Sequence, residues 1–276
     1  MSATSLPGET RTAAVTQRVD SRPVTFARVV SSEWIKFRSL RSSWAVLGGA
    51  VVGMVLIALL IAYNTRHITP NIQANDLAAS SPLQGWYLGM YLIGALGVLF
   101  VTGEYGTGMI RSTLTAVPKR LPVLWAKLVV FVVVTAIAMI AASFVAFVAA
   151  EAFISDYRRG FSLGDPGVLR LVIGTGVFLT LLGMFGAGLG WIIRNTPGAL
   201  VTYFALLVAL PVVFATFLGS WGKTVAEYFP IYAGGSFVQT FRDPHTLAPW
   251  PGLLTVVLWV AGALAIGAVV LQRRDA

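Results

Sequence analysis

Six long stretches without a charged residue restrict what this chain can fold into. They have 20 to 23 residues each and run 44–63, 83–103, 128–150, 171–193, 198–218 and 252–271. A helix that rises ~1.5 Å per residue would cross a hydrocarbon core of roughly 30 Å over such a length. Because lipid offers no hydrogen-bond partner to backbone N–H and C=O groups, spanning segments must be helices or closed-barrel strands. Runs of this length in which apolar and polar residues do not alternate indicate helices. The sequence therefore predicts an all-α integral membrane protein with six transmembrane helices.

The composition agrees with membrane insertion and limits the chemistry of the chain. Hydrophobic residues make up 57% and charged residues 11% of the sequence, and the mean hydropathy is +0.79, which excludes an ordinary water-soluble domain. Residues 1–23 lack the apolar core of a secretory signal, so we expect a disordered cytoplasmic tail followed by an uncleaved first span. Cysteine is absent, which excludes disulfide bonds and thiolate chemistry within the chain.

The basic residues predict the orientation. Six spans place both termini on one side, and the segments on that side hold fourteen of the 20 Lys and Arg residues. Short loops rich in Lys and Arg stay in the cytoplasm, so both termini are expected inside, in a multi-pass protein of the plasma membrane. The excess of inner charge favours a topology signal and attraction to anionic lipids over nucleic-acid binding, because no nucleic-acid motif accompanies it.

Residues 24–43 predict an amphipathic elbow helix before the first span. Phe26, Val30, Trp34 and Phe37 recur at helical spacing, while another face carries polar residues. We expect this helix to lie at the inner membrane surface, with membrane-interface contacts from the following residues: Trp34, Lys36, Arg38, Arg41 and Trp44. The alternative is a plain basic stop before a span.

A patterned loop between the second and third spans is the most informative polar segment. It reads "TGEYGTGMIRSTLTAVPKRLPVLWAKL", residues 102–128, and has apolar residues at helical spacing from Met109 to Val117. Gly106 and Gly108 interrupt the helix that precedes it, and Pro118 ends the short helix. An apolar strip on a short helix at the membrane surface needs a partner, either lipid or a cytosolic protein.

Glu104 opens this loop and is costly so close to the bilayer unless a cation pairs with it. The candidates on the same side are Arg111, one helical repeat away, or Lys36, Arg38 and Arg41 of the elbow. A pair with the elbow would tie the elbow to the loop.

These segments resemble the ABC-2 type transporter permeases, the membrane subunits of ATP-binding-cassette exporters. The resemblance rests on "EWIKFRSLRSSW" at 33–44, on "GEYGTGMIRSTLTAVPKR" with the later "AK", on the six-span plan and on "YFPIYAGGSF" at 228–237. It covers most of the chain from about residue 24 onward.

The resemblance implies the membrane subunit of an exporter, with a second permease copy (a homodimer) or a related permease, and does not itself fix the substrate. A hydrophobic or amphipathic substrate is expected instead from the apolar residues predicted below to line the path. ATP and Mg would be bound by a separate cytosolic ABC ATPase, and no cofactor by this chain. Glu104 matches the acidic residue that opens the loop, Thr107 to Pro118 the coupling helix, and Lys127 the basic residue that begins the third span. The implied coupling residues are Glu104, Thr107, Ile110, Arg111, Leu114, Pro118, Lys119 and Arg120.

The chain has no ATPase motif of its own. The string "FLGSWGKT" imitates the end of a phosphate-binding loop, but Phe217 stands in place of the first glycine and the string follows a membrane helix. The two histidines, His67 and His245, show no metal-binding spacing. We therefore expect no catalytic or metal site, and thus a transport subunit rather than an enzyme.

The family plan would place the second and fifth spans along the path of the substrate. The residues predicted to contact it are Trp86, Met90, Tyr203, Phe204 and Phe214. Glycines spaced as in "GAGLG" at 186–190 predict close helix packing, with dimerisation as the alternative, and Pro211 predicts a kink. The outer segment 219–251 predicts a re-entrant or interfacial helix.

A membrane scaffold is the alternative function. It would use the inner loop to recruit a cytosolic partner and would move no substrate.

Overall fold

The fold is described from a computed structural model, which describes residues 25–66, 83–117, 120–155, 161–239 and 246–273. The predicted tail 1–23, Pro118, Lys119, His67 and His245 lie outside these residues. Every regular element longer than one turn in the described ranges is helical. In chain order these are α1 Phe26–Ser39, α2 Arg41–Thr65, α3 Trp86–Gly106, α4 Met109–Ala116, α5 Arg120–Ser155, α6 Val168–Ile193, α7 Thr196–Phe204, a π-helical segment Ala205–Ala209, α8 Leu210–Phe217, α9 Gly219–Ala226, α10 Pro230–Phe237 and α11 Pro249–Arg273.

Within the described ranges, six helices are long and apolar enough to cross a membrane, which agrees in number and order with the spans predicted from the sequence. They are Arg41–Thr65, Trp86–Gly106, Arg120–Ser155, Val168–Ile193, Thr196–Phe217 and Pro249–Arg273. The largest difference lies in the third span, which was expected to begin at residue 128 and instead belongs to a helix of 36 residues that begins at Arg120. Lys127 marks the edge of the apolar run in the sequence, but lysine is a good helix former, so the helix extends through it. Its burial is made possible by pairing with the Glu33 and Glu104 carboxylates.

The helix α6 forms the centre of the bundle and packs against α3, α5 and α11. Its most apolar stretch is 67% buried, whereas that of Thr196–Phe217 is 17% buried. Contact between α3 and α6 is close because glycines on both helices let the backbones meet. A Cβ on Gly97 would overlap the carbonyl oxygen of Gly183, and one on Gly186 would overlap that of Gly94. The predicted packing role of Gly186 is therefore confirmed.

The fifth span is irregular where Pro211 enters it. The π-helical segment Ala205–Ala209 separates α7 from α8, and Pro211 is among the first residues of α8. Proline lacks an N–H and its ring crowds the carbonyl four residues earlier, and a wider π turn relieves both problems. The outer segment forms two eight-residue helices, α9 and α10, and α10 packs on α11.

Candidate functional site

Four charged side chains meet where α1, α3 and α5 converge. The Lys36 ammonium lies 2.7 Å from Glu33 Oε1 and 2.9 Å from Glu104 Oε1. The Lys127 ammonium lies 2.6 Å from Glu33 Oε2 and 2.8 Å from Glu104 Oε1. Each lysine therefore binds both carboxylates in a closed arrangement of alternating charge, which we call the charge ring, and its formal net charge is zero.

The charge ring is largely withdrawn from solvent. The side chains of Glu33, Lys127 and Glu104 are 1%, 2% and 9% exposed, and that of Lys36 is 19% exposed. Burying charges is costly, and mutual attraction offsets that cost only where each charge is paired at short range. Removing one member leaves an uncompensated charge behind, so the ring makes the junction of the three helices sensitive to any single substitution.

The local sequence of α1 explains how Glu33 reaches the ring. Val29, Glu33 and Phe37 follow each other at intervals of four residues and form the buried face of the helix. Phe37 is fully buried and packs edge-on against Phe100 of α3 at 5.2 Å. Phe100 precedes Glu104 by one helical turn, and the Lys127 ammonium lies 4.3 Å from the centre of its ring. Aromatic packing thus lies directly beside the charged residues and helps to hold them in position.

Lys36 also connects the ring to the short helix α4. Its ammonium donates a hydrogen bond of 3.0 Å to the Thr113 hydroxyl, in addition to its two carboxylate contacts. The connection from α3 to α4 turns sharply at Gly108, whose φ of 72° favours glycine. Ile110 is buried beneath α4, at 3% exposure. One side chain therefore joins α1, the end of α3 and α4.

The pKa of Lys36 reflects two opposing effects. Burial lowers the pKa, but the hydrogen bonds and negative charges of Glu33 and Glu104 raise it by more, so the pKa lies above its ordinary value of 10.5. Lys36 is therefore firmly cationic at neutral pH.

Glu104 pairs with the elbow segment, which was one of the two partners predicted from the sequence. Of the candidates proposed from the sequence, Lys36 pairs with Glu104, while Arg38, Arg41 and Arg111 are exposed. Sequence reasoning missed Glu33 as a member of the ring and did not pair Lys127 with Glu104. The sequence signal that could have revealed the ring is the presence of two acidic and two basic residues at the borders of the apolar runs. Two of them, Glu33 and Lys36, are three positions apart on one helix.

The predicted loop residues fall into three groups. Glu104 and Ile110 are buried and Leu114 is half-buried, whereas Thr107 and Arg111 are exposed. The Arg120 guanidinium donates a hydrogen bond of 3.0 Å to the Leu271 carbonyl, which attaches the start of α5 to the end of α11. The apolar strip of α4 was expected to face a separate partner. Ile110 and Leu114 instead pack against this chain, whereas Met109 is 46% exposed and lies outward with polar residues such as Arg111 and Ser112.

In the elbow segment, three of the aromatic residues predicted to face the membrane are exposed and one is buried. Phe26, Trp34 and Trp44 are exposed at 49%, 39% and 43%, as a membrane-interface role requires. Phe37 was expected on the same lipid face but is fully buried, because it fills the junction above Phe100. Lys36 was expected at the membrane interface and instead lies in the charge ring.

The residues predicted to contact a substrate are mostly packed inside the single chain. Trp86, Met90 and Tyr203 are at most 3% exposed, and the Tyr203 hydroxyl donates a hydrogen bond of 2.8 Å to the Met90 carbonyl. Phe204 and Phe214 are half-buried. The role of this set in a path stays a prediction.

Within the described ranges, no three His, Cys, Asp or Glu residues are grouped so that they could hold a metal ion. Comparisons of the chain with models of known protein families and with curated proteins gave no match.

Proposed function

We propose that this chain is the permease subunit of an ABC transporter, which exports a hydrophobic or amphipathic substrate with energy from ATP hydrolysed in a separate subunit. The observation that carries the proposal is the charge ring, which fixes the short helix α4 to α1 and to two membrane-length helices at once. A surface helix that only capped a loop would need no such connection.

The ring gives a route for movement from a partner to the spans. A cytosolic ATPase that binds the exposed face of α4, around Arg111 and Ser112, would displace that helix when nucleotide closes the ATPase. Thr113 and Ile110 hold α4 to Lys36 and to the bundle, so α1, α3 and α5 would move with it. A ligand that binds one of two such arrangements more tightly shifts the equilibrium between them.

The uneven burial of the spans supports a second permease copy. The stretches within Arg41–Thr65 and Thr196–Phe217 are 28% and 17% buried, so they present most of their apolar surface outside the single chain. A symmetric homodimer would cover part of this surface and could enclose a path between the copies. In the proposal both termini are cytoplasmic, the membrane is the plasma membrane, and ATP and Mg are bound by the ATPase.

Charge reversal at the outward face of α4 tests the proposal. The native chain is purified from its source membrane with a tag, and a bound ATPase is detected by nucleotide hydrolysis. Arg111→Glu should abolish recovery of the ATPase, whereas Lys223→Glu, an exposed reversal on α9, should leave it unchanged. Equal recovery with both variants would refute docking at this face.

The scaffold is the second candidate. A groove between α1 and α4, which either kind of cytosolic partner could enter, has a volume of about 400 Å³ and is lined by Arg28, Ser32 and Ser112 together with the apolar Val29 and Met109. Reconstitution of the complex in vesicles separates the two functions. A permease requires that a substrate changes the rate of ATP hydrolysis, whereas a scaffold would leave that rate constant across lipids, drugs and peptides.

A further inference from the structure

A second feature lies away from the charge ring, in a groove between α6 and α11. The groove has a volume of about 650 Å³, which falls within the range of ~300–1,000 Å³ typical of small-molecule sites. Its walls include Phe185, Leu189 and Ile192 on α6, and Leu258 and Ile266 on α11. Both helices are of membrane-spanning length, so the groove is open to the region that lipid chains occupy.

The walls offer apolar contact and few hydrogen bonds. The Trp259 indole N–H donates to the Tyr228 carbonyl at 2.8 Å, and the Thr255 hydroxyl donates to the Pro251 carbonyl at 2.9 Å. These two donors are therefore already bonded within the chain. Such a lining suits a hydrocarbon chain, which gains by dispersion contacts and requires no polar partner.

The length of the groove suits an acyl chain. The lining on α11 runs from Thr255 to Ile266, or ~16 Å at ~1.5 Å per residue, so the groove follows about half of a hydrocarbon core of roughly 30 Å.

Positive charge lies at one end of the groove. Ile192 is followed two residues later by Arg194, whose guanidinium donates to the Val270 carbonyl at 2.9 Å, one helical turn beyond Ile266. Arg120 donates to the Leu271 carbonyl at 3.0 Å, and Arg273 is exposed in the last turn of α11. The helices α6 and α11 contain no Asp or Glu. The Thr196 hydroxyl bonds Thr102 near the end of α3, so these arginines lie at the same end of the bundle as the charge ring.

We propose that this groove is a binding site for an anionic phospholipid. An acyl chain lies between α6 and α11, and the phosphate lies beside the arginines at the end of α11. The site serves the stability or regulation of the bundle and does not depend on the proposed transport function. Attraction of anionic lipid to basic residues near a membrane surface is general, but the apolar groove next to these arginines gives it a defined place.

Gly262 allows the site to be blocked without distorting the fold. It lines the groove, and a Cβ added there would meet no atom within 4 Å. Gly262→Leu therefore places a side chain in the groove while the helix gains propensity. Gly48→Leu is the matched control, because Gly48 is an exposed helical glycine on α2 that also has open space around it.

The test uses the purified full chain, stripped of lipid in detergent and titrated with palmitoyl-oleoyl phosphatidylglycerol or with phosphatidylcholine of the same chains. Native mass spectrometry counts the lipids retained. The native chain and Gly48→Leu should retain one phosphatidylglycerol, and Gly262→Leu should bind it roughly tenfold more weakly or not at all. Arg273→Gln should reduce the preference for phosphatidylglycerol over phosphatidylcholine.

Three results would overturn the site. They are absence of a retained lipid on the native chain, equal retention by Gly262→Leu, and equal retention of the two lipids by the native chain. A second protein copy as occupant is tested with Gly262→Cys, which would hold the only cysteine of the chain. Efficient cross-linking between copies through that cysteine would also contradict a lipid occupant.

Discussion

Lys127 of α5 and Glu33 of α1 are 94 positions apart in the sequence, yet the ammonium and a carboxylate oxygen lie 2.6 Å apart and nearly out of reach of solvent. This contact joins the elbow segment to the third membrane-length helix. Because each of the two groups is also bound to a further charge of the ring, the pair cannot be lost without leaving other charges unpaired.

Removal of Lys127 should destabilise the chain strongly. In Lys127→Met the methylene chain is kept but Glu33 and Glu104 lose a shared cation, and breaking a buried pair in this way costs about 3–5 kcal/mol. Unfolding of the purified protein in detergent by denaturant measures the loss. The exposed substitution Lys223→Met serves as the control, and an unchanged midpoint for Lys127→Met would contradict the buried ring.

Glu104→Gln should weaken the junction of α1 with α3 and α4. The neutral amide keeps the shape but leaves the two lysines with Glu33 as their remaining carboxylate. The expected result is easier proteolytic cleavage between α3 and α5, with a fall in the free energy of unfolding. Glu227→Gln, at a half-buried residue after α9, should behave as the native chain, and identical digestion patterns for both variants would refute the role of Glu104.

The raised pKa of Lys36 predicts a fall in stability at high pH. The unfolded chain releases the lysine proton near pH 10.5, whereas the folded chain keeps it to higher pH. Above pH 10.5 the folded state therefore binds more protons, and the free energy of unfolding falls by at most about 1.4 kcal/mol per pH unit until the pH passes the folded pKa. Below that range the contribution of Lys36 is fully present.

Comparison of native and Lys36→Met chains isolates this effect from other groups that titrate at high pH. The difference in the free energy of unfolding between the two chains should be constant from pH 7 to pH 10 and shrink above it. A difference that grows with rising pH would contradict the sign of the shift.

Replacing glycine by alanine at two positions should distinguish a close backbone contact from an open surface. In Gly97→Ala the new methyl group overlaps the Gly183 carbonyl, so α3 and α6 must move apart, at a cost on the order of 1–3 kcal/mol. In Gly48→Ala nothing lies within 4 Å, and the gain in helix propensity leaves stability equal or slightly higher. Thermal unfolding in one detergent compares the two, and equal effects would refute the backbone contact.

The sequence predicted the spans well because each is long, apolar and uncharged, so insertion into lipid leaves little alternative to a helix. It also predicted the break near Pro211, since the cause is local to that residue. Helix limits were less accurate where a charged residue ended an apolar run. Lys127 shows why, because a charged residue bounds an apolar run without ending a helix, and the carboxylates that allow it to be buried, Glu33 and Glu104, are distant in the sequence.

The candidate site was predicted in part. Glu104 was recognised because an isolated carboxylate near a bilayer requires a cation, and Lys36 was among the cations proposed. Helical periodicity placed Phe37 with the lipid-facing residues, but its packing against Phe100 depends on the position of α3, which a pattern along α1 does not contain. The groove between α6 and α11 likewise arises from helices that meet only in the folded chain.

Coupling through Lys36 is the central claim of the proposed function, and ATP hydrolysis in the reconstituted complex tests it most directly. The measurement compares native, Lys36→Met and Arg38→Met chains, each in vesicles with the ATPase that co-purifies with the chain. Arg38 is exposed on the same helix, so its variant controls for loss of charge. The account predicts that all three bind the ATPase and that Lys36→Met alone loses stimulation of hydrolysis by substrate. Full stimulation with Lys36→Met would contradict it.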